Sequence, residues 1–478
     1  MRWDEYTRLD ATALTALVAA GDVTAAETQA IATDSIRRLD PQLNAVVGGP
    51  FDEPMNYDTM GAFSGVPFAL KDLICQAAGS PMHMGSRFTG RKGVTVDHDS
   101  FLMARFRRAG LAVVAKTATP EFGFNSNTEP LTNGSTRNPW ALDRSVGGSS
   151  GGSAALVASR CVPMAHGNDG GGSLRIPASY CGLVGLKPTR GLVPLGPDNE
   201  DGLYGQIAEF GLTRTVRDAA RLLDQIAGPA RGQRFRVPPL HGPSYVAHLS
   251  GPPAPLRIAI HTESWAGSPV AAAVGAAVDR VGTMLAAYGH HVDRATPAID
   301  WDRFVDSQCV IEAAAIVEMV QDLEATTGAH PDAEHLEATT LRAYRYGLDL
   351  TAQDLNRAFA TMRWISGAFG RFFESYDVIV TPTTNTTAIP LGVLDQNNAV
   401  MTHEEWLRGL YDLATFTPLF NLTGCPAISL PLAIDETGLP IGIQIGADQF
   451  EDGTLLALAA VLEAESPWID RIPSITAV

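Results

Sequence analysis

Residues 147–177 read GGSSGGSAALVASRCVPMAHGNDGGGSLRIP, and this stretch is the most informative part of the sequence. Glycine this dense lets backbone N–H groups approach a ligand without obstruction from a Cβ atom. Such a loop can cradle a phosphate, or it can donate N–H groups to the oxyanion of an acyl transfer. Neither glycine run has the spacing of a P-loop or of a dinucleotide-binding fingerprint. The pattern therefore favours an oxyanion hole.

The serine that follows the second glycine run is a candidate nucleophile. Ser173 comes directly after glycines 170–172, and a nucleophilic serine needs a base. Histidine is the usual base, but Ser173 lacks the GxSxG motif of a nucleophile elbow, and His166 is interpreted as a hydrogen-bonded structural group. Lysine is the alternative base, and Lys71 ends an apolar run. From periodicity alone, a lysine that reaches solvent or pairs with Asp72 is the favoured interpretation.

Short apolar runs alternate with helical patterns along the chain. This alternation predicts an α/β fold around a largely buried mixed or parallel sheet. An Ala-rich helix is predicted over Pro269–Tyr288. The predicted strands are Val66–Leu70, Leu111–Ala115, Leu256–Ile260, Tyr376–Val380, Pro426–Leu432 and Ile441–Ile445.

Several residues predict where helices begin and end. Thr24 and Glu27 have the spacing of a capping box, and Pro41 is a stop signal for the helix that follows them. Asp99 is predicted to cap a helix that runs through Arg108.

We predict one domain over residues 1–478, with a helical cap inserted late in the chain. The acidic stretch Asp302–Glu374 forms most of this cap and is interpreted as a solvated face. The Pro- and Gly-rich stretch Gly228–Pro255 is predicted to be a surface connection. The predicted segments are 1–60 (N-terminal, helical), 61–227 (catalytic core), 228–400 (connection and cap) and 401–478 (C-terminal strands and helix).

Charge and cysteine content argue against several classes of function. Lys and Arg number 35 against 52 Asp and Glu, a net charge of −17, which opposes binding to nucleic acid or an anionic membrane through bulk charge. The five cysteines form no CxxC pair and no zinc spacing, so neither a disulfide scaffold nor a metal site is predicted. Residues 1–10 lack a signal-peptide pattern, and no apolar run reaches 18 residues. A cytoplasmic protein is expected.

Three motifs lie in order along the chain: GVPFALKD (65–72), GGSSGGS (147–153) and DGGGSLRIP (169–177). Together they resemble the amidase signature family. The resemblance continues through residues 182–189, the strand 376–382 and residues 420–426, and so covers nearly the whole chain. Within the family, the run of residues 166–169 and the end at 467–473 resemble the branch with 6-aminohexanoate-cyclic-dimer hydrolases and bacterial general amidases.

This resemblance implies a large mixed sheet with helices on both faces and a Ser–cis-Ser–Lys site. It makes Ser173 the nucleophile, Ser149 the bridging serine in a cis peptide and Lys71 the base, which overturns the solvent-exposed interpretation of Lys71. It also implies oxyanion-hole N–H groups from Gly170, Gly171, Gly172 and Ser173, and supporting roles for Asp169, Arg175 and Ser150. Two departures from the family pattern are Asn168, where threonine is usual, and Gly170, where isoleucine or threonine is usual.

The implied activity is hydrolysis of a small, apolar or aromatic carboxamide, or of a linear or cyclic amide, without metal or organic cofactor. The alternative is a glutaminase-type subunit of a tRNA-dependent amidotransferase, which delivers ammonia to a partner. A homodimer is common in the family and stays open. Phe124, Cys309, Phe420 and Cys425 are candidate pocket residues, although small buried hydrophobes are the usual role of such cysteines. Further aromatic candidates, of which one or two are expected to touch substrate, are Phe122, Trp265, Trp301 and Trp406.

Overall fold

The computed structural model describes residues 1–235, 237–238 and 242–477. Within these residues, eleven of thirteen strands form one mixed sheet in the order β1-β3-β2-β6-β8-β7-β12-β13-β11-β9-β10, and β4 pairs with β5. The strands are β1 (Val46–Val47), β2 (Pro67–Lys71), β3 (Ala112–Thr117), β4 (Arg137–Asn138), β5 (Ala141–Ser145), β6 (Met164–Asp169), β7 (Val184–Lys187), β8 (Ala208–Thr213), β9 (Arg257–Ile260), β10 (His291–Arg294), β11 (Val378–Pro382), β12 (Ala427–Ile434) and β13 (Pro440–Ala447).

Fifteen α-helices occur in the described part of the chain, and none is long and apolar enough to cross a membrane. They are α1 (Trp3–Tyr6), α2 (Ala11–Ala20), α3 (Ala25–Leu43), α4 (Phe101–Ala109), α5 (Gly151–Ala158), α6 (Arg175–Cys181), α7 (Gly202–Gly205), α8 (Val216–Ile226), α9 (Ala272–Ala287), α10 (Trp301–Thr327), α11 (Ala338–Leu348), α12 (Ala352–Phe373), α13 (His403–Leu413), α14 (Pro418–Thr423) and α15 (Asp452–Glu465).

The sheet is covered on both faces. Every residue of β2, β3, β6, β8, β11 and β13 is buried. Since successive side chains of a strand point to opposite faces, complete burial requires cover on each side. The predicted α/β class and mixed sheet are confirmed, and all six predicted strands are present with ends within two residues of those predicted. The division into segments stays a prediction.

Two helix boundaries differ from the prediction. Helix α3 begins with the predicted capping box but continues past Pro41, which lies in its last turn, and ends where Asn44 adopts a φ of 52°. Helix α4 is capped by Ser100, whose hydroxyl accepts a hydrogen bond from the N–H of Met103 at 3.2 Å. Asp99 does not cap this helix because its carboxylate binds the Arg107 guanidinium at 2.7 Å.

The late helical region is present, and its role as a cap over the sheet stays a prediction. Helices α10, α11 and α12 occupy most of the stretch interpreted as the cap. The connection predicted over 228–255 has a single 3₁₀ turn, Val246–Ser250, in its described residues. Residues 236 and 239–241 of this connection, and residue 478 of the C-terminal segment, lie outside the described residues.

Candidate active site

Lys71 is buried at the carboxyl end of β2 and meets two serines. Its Nζ donates to Ser149 Oγ at 2.7 Å, to Ser150 Oγ at 3.1 Å and to Asn168 Oδ1 at 2.5 Å. The side chain has no exposed surface. The pairing with Asp72 that periodicity favoured is absent from these described contacts, because the Asp72 carboxylate lies 3.3 Å from Lys116 Nζ.

The surroundings of Lys71 favour its neutral form. Burial lowers the pKa of the Lys71 ammonium to about 7, against the opposing effect of the Glu209 and Asp169 charges. A buried ammonium loses hydration that its few hydrogen bonds do not fully replace. Near neutral pH, a large share of Lys71 is therefore free to accept a proton.

Sheet topology brings the second serine loop to the same place. Strands β2 and β6 are parallel neighbours, so Lys71 and the turn after β6 emerge at one edge of the sheet. Ser173 lies in that turn, and Ser149 lies in the other glycine loop, in a cis peptide with Gly148. The two loops are joined directly, since Ser150 N–H donates to Ser173 O at 3.2 Å. Ser149 and Ser173 both line one cavity.

The predicted oxyanion turn is only partly available to a ligand. Gly170 and Gly171 line the cavity, and the backbone N–H groups of Gly170, Gly171 and Ser173 have no hydrogen-bond partner among the described residues. Gly172 differs, because its N–H donates to Asp169 Oδ1 at 2.8 Å. The prediction that Gly172 contributes an oxyanion donor is therefore wrong for this geometry, because Asp169 already uses that N–H to shape the turn.

A buried ion pair holds this turn. Arg175 Nε and Nη2 donate to the two Asp169 oxygens at 2.9 and 2.8 Å, and neither side chain is exposed. Although burial alone would raise the pKa of Asp169, the charge and hydrogen bonds of Arg175 hold it at about 2. The remaining guanidinium donors bind Thr417 O, Gln444 Oε1 and Asn421 Oδ1 at 2.7–2.8 Å. The pair thus links the turn to α14 and β13.

His166 has the structural role that the sequence suggested. Its Nδ1 accepts from the Lys71 backbone N–H at 3.2 Å, and its Nε2 lies 2.5 Å from Glu209 Oε2. Both ring nitrogens are engaged in these bonds, and the ring is fully buried. His166 is thus not placed to accept a proton from Ser173.

The cavity above the serines has a volume of about 560 Å³. Its apolar wall combines residues close to the Lys71 loop with residues far along the chain. Of the four candidate pocket residues, Phe124 lines the cavity and the others do not; Phe122 lines it too. The remaining apolar and aromatic lining residues are Leu73, Ile74, Met82, Met84, Val94, Leu203, Tyr204, Ile207, Ala315, Met319, Leu323, Leu410 and Tyr411.

Three pocket predictions are wrong because these side chains belong to the core. The Phe420 ring packs against Phe369, with centroids 5.6 Å apart, and fills the space over Gly446. Cys309 is buried among apolar residues of the cap, and Cys425 Sγ faces Asp448. Trp265, Trp301 and Trp406 lie in or against the same cluster of buried apolar residues as Phe420 and Cys309, and none of the three lines the cavity.

The acidic cap is not simply a solvated face. Glu312 is only 8% exposed and lines the cavity, and Glu337 of the cap is 1% exposed. Sequence reasoning also missed the contact between Asn168 and Lys71, although Asn168 was noted as a departure from the family pattern. The available signal for this contact was the position of Asn168, a polar residue two positions after His166.

The profile of the Amidase family matches residues 50–456, most of the chain. The chain belongs to the amidase family. This amidase is 35% identical over 481 aligned positions to the 6-aminohexanoate-cyclic-dimer hydrolase of Paenarthrobacter ureafaciens, an alignment that covers 98% of this chain and 96% of the relative. The predicted family is therefore confirmed, and the protein is a hydrolase that acts on amides.

Solved structures are similar to this amidase over its full length. A structure of 6-aminohexanoate cyclic dimer hydrolase superposes with a TM-score of 0.89 at 33% identity, covering 98% of this chain and 99% of the other. A glutamyl-tRNA(Gln) amidotransferase subunit from Thermotoga maritima gives a TM-score of 0.73 at 26% identity, covering 100% of this chain and 98% of the other. The fold is thus the one that the resemblance implied.

Proposed function

We propose that this amidase hydrolyses small amides through an acyl-enzyme formed on Ser173. The observation that carries the proposal is the hydrogen bond of 2.7 Å from buried Lys71 to Ser149, at the floor of a cavity that Ser173 also lines. A serine hydroxyl becomes nucleophilic when a base removes its proton as it attacks. Ser149 is the group through which Lys71 reaches Ser173.

The proton follows a short relay in each half of the reaction. Ser173 Oγ attacks the amide carbonyl and passes its proton to Ser149, while Ser149 passes its own proton to neutral Lys71. The N–H groups of Gly170, Gly171 and Ser173 are the donors available to the developing oxyanion. The ammonium of Lys71 then returns a proton through Ser149 to the leaving amine, and water attacks the acyl-enzyme by the same route.

The apolar wall of the cavity supports apolar or aromatic amides as substrates. The proposal covers linear and cyclic amides alike, since a relative is named for hydrolysis of a cyclic dimer. Ammonia delivery to a partner is not favoured, because similarity to the amidotransferase subunit is lower, at 26% identity. Five free, buried cysteines support a cytoplasmic setting.

Covalent labelling tests the proposal without knowledge of the substrate. Exposure to a small alkyl fluorophosphonate, followed by intact mass measurement and peptide mapping, should add one phosphonyl group at Ser173. The Lys71→Ala variant should not be labelled, because the relay then lacks its base. Ser126 lines the same cavity but has no contact with Lys71 among the described residues, so Ser126→Ala should label like the wild type. Absence of labelling in the wild type, or labelling at another serine, contradicts the proposal.

The relay also fixes the sign of a pH effect. Since the base must be neutral and its pKa is about 7, kcat/KM should rise with pH below 7 and level off above it. The Asn168→Asp substitution puts a carboxylate where Oδ1 lies 2.5 Å from Lys71 Nζ. An opposite charge this close should raise the pKa of Lys71 by about 1–3 units. The rising limb of the pH profile should therefore move to higher pH by that amount.

The control for this effect is Asn199→Asp, which makes the same change at an exposed residue of the cavity. Its pH profile should match that of the wild type. If the rising part of the pH profile of kcat/KM stays in place in Asn168→Asp, or moves to lower pH, the assignment of Lys71 as the base is contradicted.

A further inference from the structure

The charged residues of the cavity all carry the same sign. Five carboxylates line it, and no lysine, arginine or histidine does so among the described residues. Two of the five have cationic neighbours: Asp201 pairs with Arg234, and Asp198 Oδ2 lies 2.9 Å from His98 Nε2. The three on helix α10 have no ion pair within the described structure. They are Glu312, Glu318 and Asp322.

Helix α10 places these three carboxylates at different depths. Glu318 and Asp322 are exposed at the mouth, whereas Glu312 lies inside and is more than nine-tenths buried. Tyr411 OH donates to Glu312 Oε1. Oε2 has no hydrogen-bond partner in the described chain, yet it is not enclosed by protein, because the residue faces the cavity. Glu312 thus offers a free acceptor to whatever fills the cavity.

The Glu312–Tyr411 pair adjoins the reacting centre. The Tyr411 ring comes within 3.9 Å of the position that a Cβ on Gly171 would occupy, and Gly171 supplies an oxyanion N–H in the proposed reaction. A substrate group that extends from the oxyanion turn past Tyr411 would therefore meet Glu312.

We propose that Glu312 determines substrate specificity, by binding an ammonium group on the amide substrate within an acidic cavity that rejects carboxylates. This deepens the proposed function and rests on it. A buried carboxylate with one free oxygen is a strong acceptor for a charged N–H donor, and its desolvation is offset only when such a donor arrives. Burial raises the pKa of Glu312 to about 7, which the hydrogen bond from Tyr411 opposes. A bound cation would hold the group ionised.

Amides of one skeleton that differ only at their far end test this specificity. Each is made with a terminal ammonium, methyl or carboxylate group, in one series on the acyl chain and in another on the amine. In at least one series, the best ammonium substrate should exceed its methyl analogue about tenfold in kcat/KM, and the carboxylate should be the poorest. Equal rates for ammonium and methyl substrates in both series would overturn the proposal.

The Glu312→Gln substitution keeps an acceptor for Tyr411 but removes the charge. It should lower kcat/KM at least about tenfold for the ammonium substrate and leave the methyl substrate within about threefold. Glu324→Gln is the matched control, since it makes the same change on α10 at a residue that does not line the cavity and pairs with His330; it should leave both substrates unaffected. An equal loss for both substrates in Glu312→Gln would contradict the proposal.

A measurement on the wild type tests the same proposal if the Glu312→Gln variant fails to fold. Primary alkylammonium ions should inhibit hydrolysis of the methyl substrate more strongly than alcohols of equal length, by about tenfold in the inhibition constant. Equal inhibition would count against Glu312. The proposed function is tested independently of Glu312, since it fails if the fluorophosphonate does not label Ser173.

Discussion

The Ser173→Ala variant should lose nearly all amide hydrolysis, with kcat reduced by about 10⁴- to 10⁶-fold. Without the hydroxyl no acyl-enzyme forms, and only substrate binding and the oxyanion turn are left to assist water. Steady-state rates with a chromogenic anilide measure the loss, and the fold can be checked by circular dichroism. Residual activity above a tenth of the wild-type rate would rule out Ser173 as the nucleophile.

The Lys71→Ala variant should lose nearly as much, and the double variant should be no worse than either single one. Groups that act as one relay are strongly non-additive, since removal of any member stops the same step. Ser149→Ala should be severe but less complete, because Ser150 Oγ also lies within 3.1 Å of Lys71 Nζ. Losses in Ser173→Ala and Lys71→Ala that multiply in the double variant would mean that the two residues do not share a step.

The central part of the site could be predicted from the sequence because its residues lie in short, recognisable sequence patterns. Lys71 ends an apolar strand, and the two serines lie in glycine-rich runs, 24 positions apart. The buried strands were predictable for a similar reason, since continuous apolar runs of this length are typical of a sheet covered on both faces. Parallel pairing of β2 with β6 then brings these local signals together.

The walls of the cavity could not be predicted in the same way. Glu312 and Tyr411 are about a hundred positions apart and come from α10 and α13, so no spacing in the sequence reveals that they meet. Composition gave a wrong expectation for α10. An acidic helical stretch predicts a solvated face, yet the face of α10 with Glu312 points into the cavity. Phe420 and Cys309 are residue types that often line pockets, but here both side chains pack in the apolar core.

The Asp169→Asn variant should lose both stability and activity. Asparagine keeps the shape but leaves the Arg175 guanidinium buried without a counter-charge, and breaking a buried ion pair costs about 3–5 kcal/mol. Urea denaturation should show this loss in the free energy of unfolding. Asparagine also has one acceptor oxygen where Asp169 has two, so the N–H groups of Gly172 and Leu174 can no longer both be accepted. The oxyanion donors then shift, and kcat/KM should fall at least about 10²-fold.

The pH dependence separates the ion pair from a general loss of packing. The pKa of Asp169 in the folded protein, about 2, lies below its ordinary value of 3.8. Its contribution is therefore fully present above about pH 4 and is lost only as pH falls through 2. The stability difference between wild type and Asp169→Asn should thus stay constant from pH 5 to 8. Asp143→Asn, at an exposed residue whose Arg144 neighbour is 3.9 Å away, should leave stability and rate unchanged. A difference that grows as pH falls from 8 to 5 would mean that the pKa of Asp169 is raised and its carboxyl protonated in the folded protein, because such a group contributes more stability at low pH. The turn would then need another explanation for its shape.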